Sequence, residues 1–227
     1  MLMSLCVAIR DGDTIYVGSD SAILQGSKKS VSKEGQSKLW KLDKYDVVFA
    51  HSGNVVVRNI ISMSSKVVHK KYKKRAIRIK DVVNSIVPRI AAVLKDRGHE
   101  EIESSLILAH RNRVFQICGD GGTTEPSDDF VSIGSGSDMA VGAFQVIKDD
   151  ARYNTQQKLI KVISGVCSAH YGVGYPIRVI NTKNDDIVTI LNEDEAIEFT
   201  SIPMSLGIAS NQTTYHQSSQ SFLKRMG

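Results

Sequence analysis

Three residues near the start of the chain carry groups that combine into hydrolytic chemistry. Ser4 precedes the first apolar run, Asp20 closes the second strand-like segment, and Lys38 opens the third. A lysine lowers a neighbouring hydroxyl's affinity for its proton, or takes that proton itself where its own pKa is depressed. A carboxylate orients the lysine and holds its charge. Backbone amides at Ser52-Gly53, or in the loop beginning at Gly134, can stabilise an oxyanion. Each residue type is common, and a plainer reading stands beside this one: Asp20 as a turn residue and Lys38 as a charge on a strand edge.

Other motifs are weaker. Gly134-Ser135-Gly136-Ser137 before a helix offers amides to an anion, but it lacks the lysine and spacing of a phosphate loop. A tight strand-to-helix turn with serines near a polar site fits it better. His51, His110 and His170 share no metal-ligand spacing, so no metal and no cofactor are expected. Cys167 and His170 lie three apart on one helical face, where the apolar pattern favours a core cysteine over a catalytic pair. Cys6, Cys118 and Cys167 are odd in number and form no CxxC, which points to buried thiols in a reducing, cytoplasmic setting.

The elements that must position these residues follow from periodicity. Leu5–Ile9 and Thr14–Val17 flank Asp11-Gly12-Asp13 as a hairpin. Residues 26–38 are polar and aperiodic. Lys38–Leu42 and Val47–His51 form a second hairpin. Val56, Ile60, Met63 and Val67 then recur at helical spacing, with Ser52 or Asn54 as cap. A second helix starts at an Asp81 cap and stops at Gly98; Pro88 within it either kinks it or leaves the neighbouring chain to absorb a lost hydrogen bond. Ser105–Ala109, Val114–Cys118 and Phe130–Ile133 are strands. A third helix buries Met139, Ala143, Phe144 and Ile147. A fourth begins at Asn154 or Thr155 and buries Leu159, Val162, Ile163, Val166 and Cys167. Strands at Ile177–Asn181 and Ile187–Leu191 end the pattern. Blocks of strands separated by helix pairs exclude a βαβ sheet. They predict an α+β fold: a four-layer αββα sandwich, two mostly antiparallel sheets between helix pairs.

The 227-residue chain is 41% hydrophobic and 23% charged, which excludes a disordered polymer. Its apolar runs fall short of a membrane span, and the N-terminus lacks the basic region and cleavage site of a signal peptide. The net charge of +5 owes much to Lys70, Lys71, Lys73, Lys74, Arg75, Arg78 and Lys80. Without aromatic interleaving beyond Tyr72, this run reads as a solvated helix end and connector, and nucleic acid is not the expected partner.

The order of elements and four stretches resemble the proteasome β-subunit family of N-terminal nucleophile hydrolases, including bacterial HslV and Anbu. The stretches are Cys6–Ser21, Ser37–Leu42, Phe49–Asn54 and Ser132–Ser137, in order within residues 4–192. The resemblance implies a catalytic N-terminal threonine whose hydroxyl attacks a peptide carbonyl while its own α-amine, with a pKa of ~8, acts as base. It places Ser4 at the nucleophile and Asp20 and Lys38 at the family's aspartate and lysine. Ser52-Gly53 falls on the oxyanion segment, and Ser135 or Ser137 on the serine that positions the N-terminus. It also implies a homo-oligomer or a larger protein assembly, with a peptide as substrate where the site is active.

This sequence departs from the family pattern in specific places. Serine replaces threonine, and Met1-Leu2-Met3 precedes it, so that Ser4 has an amide in place of a basic amine. Met3 stands where self-processing relatives have glycine. The family's late aspartate–serine pair falls on Ser168-Ala169-His170-Tyr171-Gly172, which has no aspartate. The division expected is an extension at 1–3, a catalytic-type domain at 4–200 and a polar tail at 201–227. Two functions follow: a catalytically degenerate subunit that serves in assembly, or a peptidase or amidase whose Ser4 is exposed by cleavage of Met3–Ser4.

Overall fold

The computed structural model describes residues 4–25, 28–31, 37–184 and 186–202. The extension at 1–3 and the tail from 203 lie outside these residues. Twelve strands and six α-helices are described, and every strand pairing is antiparallel.

One sheet has the order β10-β1-β2-β11-β12, built from Phe130–Ile133, Cys6–Asp11, Thr14–Ser19, Ile177–Asn181 and Val188–Ile190. The other runs β5-β6-β7-β8-β9: Leu39–Leu42, Val47–Gly53, Ser104–His110, Arg113–Ile117 and Thr123–Thr124. Alternation sends one face of each sheet inward. Cys6, Ala8, Ile15 and Val17 from the first sheet meet Val48, Ala50, Ile107 and Ala109 from the second in an apolar layer.

Helices cover both outer faces. On the second sheet lie α1 (Val55–Ser62), α2 (Ile79–Asp81) and α3 (Val87–Lys95), around Phe49, Tyr72, Leu106 and Phe115. On the first lie α4 (Ser137–Ile147), α5 (Thr155–Ala169) and α6 (Glu193–Ser201), around Leu5, Val7, Leu159 and Ile163. The αββα sandwich is therefore the observed architecture.

Several local expectations are corrected. The polar stretch after Gly26 contains β4 (Lys28–Val31), which pairs with β3 (Ala22–Gln25) as a separate hairpin. Helix α1 ends at Ser62, and Val67 and Val68 enter the core from a connector. Arg78, not Asp81, caps α2; Asp81 sits one turn in and its carboxylate accepts from the Arg78 amide at 3.0 Å. A π-helical turn at Val82–Ile86 joins α2 to α3 without a break, so Pro88 lies inside a continuous helical run, next to the widened turn, and not at a free helix start. On α4, Phe144 is buried and Ala143 and Ile147 pack against the core as expected, Ala140 joins them, and only Met139 points outward. His170 is the C-cap of α5; Cys167 packs against the core as expected but is half-buried, as is Cys118. Helix α6 follows the last strand, where the periodicity predicts no further element.

Candidate active site

Ser4 lies at the entrance of β1, 3% exposed. The next residue anchors it: the Leu5 amide donates to Asp20 Oδ1 at 2.9 Å, and the Asp20 amide returns a bond to the Leu5 carbonyl at 3.1 Å. Asp20 follows the last residue of β2, so the β1–β2 hairpin itself brings the two together.

The Asp20 carboxylate is wholly buried, and four donors converge on it. Oδ1 accepts from the Leu5 amide and from Lys38 Nζ at 2.6 Å; Oδ2 accepts from the amides of Ala22 at 3.0 Å and Gly174 at 3.1 Å. Such saturation is what a buried charge requires. The Lys38 side chain is 11% exposed and arrives from the start of β5, whose register is fixed by the His51 amide donating to the Lys38 carbonyl. Asp20 and Lys38 thus form one buried pair beside the backbone of Ser4.

The loop before α4 closes the other side. The Ser4 amide donates to Ser135 Oγ at 3.2 Å, and the Gly136 amide to the Ser4 carbonyl at 3.3 Å. Gly134 adopts φ +103°, and a Cβ there would stand 2.2 Å from the Ser4 carbonyl oxygen and 2.8 Å from Ser52 Oγ. Only glycine allows this approach. It sets Ser52, at the end of β6, beside the Ser4 backbone, while Gly53 pairs with Ser104 on β7. Of the two serines proposed to position Ser4, Ser135 makes the contact. Ser137 engages through its backbone, its amide donating to Gly134 and its carbonyl accepting from Ser132 Oγ.

The hydroxyl of Ser4 is buried with no hydrogen-bond partner among the described residues. The nearby histidine is no base: burial, then Arg58 and Lys38, push His51 down to about 3. Cys6 and Cys167 are disfavoured as nucleophiles too. Burial raises Cys6 to about 12, and its Sγ donates to the His51 carbonyl; burial raises Cys167 to about 12 as well. Among the described residues no cluster of histidine, cysteine and carboxylate could hold a metal ion. What the geometry assembles is a serine, a buried lysine–carboxylate pair and a serine hydroxyl on the Ser4 nitrogen.

Sequence reasoning missed three contributors. Gly174 supplies an amide to Asp20, and the Gly172-Val173-Gly174 pattern between helix and strand was a usable signal. Lys29, in the stretch read as aperiodic, donates to the Val173 carbonyl at 2.9 Å. Glu193 of α6 accepts from Ser168 Oγ at 3.0 Å, putting a carboxylate beside the segment that lacks the expected aspartate.

A four-layer sandwich with a serine leading its first strand, next to a buried aspartate–lysine pair, has the architecture of the N-terminal nucleophile hydrolases. Within that class the chain belongs to the proteasome subunit family, whose model matches residues 4–166. The match begins at Ser4. The ATP-dependent protease subunit HslV of Caldanaerobacter subterraneus subsp. tengcongensis is 26% identical over 164 residues, covering 71% of this chain and 89% of the relative. HslV of Thermoanaerobacter pseudethanolicus is 25% identical over the same shares. Among solved structures, Anbu from Yersinia bercovieri superposes with a TM-score of 0.65 at 14% identity, covering 92% of this chain and 99% of that one. BPH of Thiobacillus denitrificans, in complex with epoxomicin, gives 0.63 at 16% over 78% and 97%. These two structures establish the fold alone.

Proposed function

We propose that the chain is an intracellular peptidase subunit of a multi-subunit assembly, with Ser4 as nucleophile once the Met3–Ser4 bond is cleaved. The observation that carries this is the Asp20–Lys38 pair, buried, saturated with donors and bonded to the residue next to Ser4. A pair kept for packing alone gains little over apolar side chains of equal volume; beside a hydroxyl it has chemical use.

Cleavage turns the Ser4 amide into an amine with a pKa of about 8, able to accept the Oγ proton. Ser135, already on that nitrogen, orients it. The Lys38 ammonium favours the developing alkoxide, and Asp20 keeps it in place. Oγ attacks the peptide carbonyl, backbone amides at Ser52-Gly53 hold the oxyanion, and the amine returns its proton to the leaving amine. Water then attacks the acyl-enzyme through the same base. Ser137 acts by holding the loop that carries Ser135.

A second reading has one observation in its favour. Ser4 is 3% exposed and its hydroxyl lies unpartnered, as suits a subunit that serves in assembly without chemistry. Intact-mass spectrometry with an electrophilic serine probe separates the two. Loss of the first three residues with labelling at Ser4 supports the peptidase. An intact extension without labelling overturns it in favour of the assembly role.

A further inference from the structure

We propose that Lys29, on the separate β3–β4 hairpin, is a positioning residue that acts on Asp20 through one peptide plane, Val173–Gly174. This rests on the reading of the Ser4 site as catalytic and extends it to a residue with no contact to Ser4 itself.

The two ends of that plane do different work. Lys29 Nζ donates to the Val173 carbonyl at 2.9 Å, and the Gly174 amide donates to Asp20 Oδ2 at 3.1 Å. The carbonyl and amide belong to the same trans peptide, so they point opposite ways and share one resonance system. A cation on the oxygen draws electron density toward itself and makes the amide a stronger donor. Linked hydrogen bonds polarise one another by roughly 10–30% per bond. The positive charge of Lys29 is thereby felt at the Asp20 carboxylate without an ion pair between them.

The surroundings are shaped for this contact. A Cβ on Gly174 would stand 2.8 Å from Lys29 Nζ and 2.9 Å from its Cε, so the lysine occupies the space that a side chain would fill. The Gly174 carbonyl, in the next peptide plane, accepts from the Ser21 amide at 3.0 Å and anchors the chain just beyond Val173–Gly174. The hairpin grips Asp20 twice. Its first residue, Ala22, donates to Oδ2 directly, and its returning strand delivers Lys29 in register with Leu24. Asp20, β3, β4, Lys29 and the Val173–Gly174 plane close a ring of hydrogen bonds around Oδ2. Lys29 also lies 5.8 Å from the centre of the exposed Tyr171 ring, within cation–π range.

Selective labelling tests the relay directly. The sequence has three Val–Gly peptides, at Val17–Gly18, Val141–Gly142 and Val173–Gly174. Valine carbonyl-13C and glycine 15N labels therefore isolate three NMR signals. In Lys29→Met, the Val173 carbonyl and the Gly174 amide proton both move upfield, the other two signals stay, and Lys29→Arg brings both back toward their original positions. A carbonyl that moves while the Gly174 proton stays means the lysine's influence ends at the oxygen, and overturns the proposal. So does a pair of unmoved signals. In peptide hydrolysis, Lys29→Met lowers kcat about tenfold with KM within about twofold, and Lys29→Arg restores most of it. A change in KM alone marks a substrate contact and overturns the positioning role. A wild-type protein that hydrolyses nothing refutes the peptidase reading, and the NMR signals then decide the relay alone.

Discussion

Two carboxylates in this chain hold a cation at the same distance in different settings. Asp20 binds Lys38 at 2.6 Å, and Asp81 binds Arg75 at 2.6 Å. The Asp20 side chain is wholly buried and Lys38 is 11% exposed, whereas the Arg75 side chain is 38% exposed. Asp20 gathers backbone amides from three separate segments, at Leu5, Ala22 and Gly174. Asp81 is bound locally, by the Arg75 fork and the Arg78 amide within six residues of chain. Equal length does not mean equal consequence. The first pair ties distant parts of the fold to one point and the second stabilises a helix start. Each region also has a buried histidine: His51 on β6 near Lys38, and His110 on β7, whose Nδ1 accepts from the Ile77 amide beside the Arg75–Asp81 pair.

The contrast breaks first at Asp20. Asp20→Asn removes the charge that balances Lys38, and its amide NH2 has to face the Ala22 and Gly174 donors or surrender the acceptor that Lys38 uses. Stranding one member of a buried pair costs about 3–5 kcal/mol. Urea unfolding is expected to show a loss of that size, together with loss of probe labelling at Ser4. A loss below about 1 kcal/mol would show that the buried pair is no stronger a constraint than a surface one.

Gly134→Ala tests the same side through the backbone. At φ +103° a side chain is strained, and its Cβ would meet the Ser4 carbonyl. The conformational cost alone is about 1–3 kcal/mol, and relief of the clash must displace Ser4 or the loop that carries Ser135. Slower probe labelling, beyond what lost stability explains, is the expected result. Normal labelling in a folded variant would separate loop geometry from the reactivity of Ser4.

Much of this contrast was legible in the sequence, for physical reasons. Ser4, Asp20 and Lys38 announce themselves by chemical type at strand ends, and strand–helix alternation is enough to give the sandwich. The supporting contacts were less visible. Backbone amides have no letter, so Gly174 as a donor to Asp20 could be read only as a glycine-rich turn. The β3–β4 hairpin hides because the stretch from Gly26 is rich in lysine and serine and shows no period. Helix α6 has little apolar content, yet its start carried a signal: the Asn192 side chain accepts from the Glu195 amide, and the Glu195 carboxylate accepts from the Leu191 amide. A cap followed three residues later by glutamate was there to be read. The π-helical turn before Pro88 has no such signature, since it adjusts to packing around Val82 and Ile86.

Acid should act on both regions through their histidines. Burial pushes His51 down to about 3, with Arg58 and Lys38 adding to it; burial and Arg111 push His110 down to about 4, with Asp46 opposing. Both are neutral when folded, while the unfolded chain takes up their protons below about 6.5. The unfolded state then binds more protons, so stability falls as pH falls. Each histidine contributes a slope of about 1.4 kcal/mol per pH unit, from near 6.5 down to its own folded value. His51→Gln is expected to flatten this limb by one proton's worth, and a limb of unchanged slope would mean that His51 is protonated in the folded protein.

Asp81→Asn is the smallest effect and fixes the scale for the others. The Arg75 fork, aided by the Arg78 amide, holds the Asp81 carboxyl well below the usual carboxylate range. A depressed folded pKa contributes stability that is fully present above the unfolded value, near 3.9, and is lost as pH falls through the folded one. Wild type is therefore expected to exceed Asp81→Asn in unfolding midpoint at pH 7, with the gap narrowing only below about pH 4. Salt should shrink the gap at pH 7, because Arg75 faces solvent, and should leave the Asp20→Asn gap nearly unchanged. If both gaps shrink alike, water and ions reach Lys38 as freely as Arg75. The distinction between a pair that organises the candidate site and a pair that starts a helix would then fail.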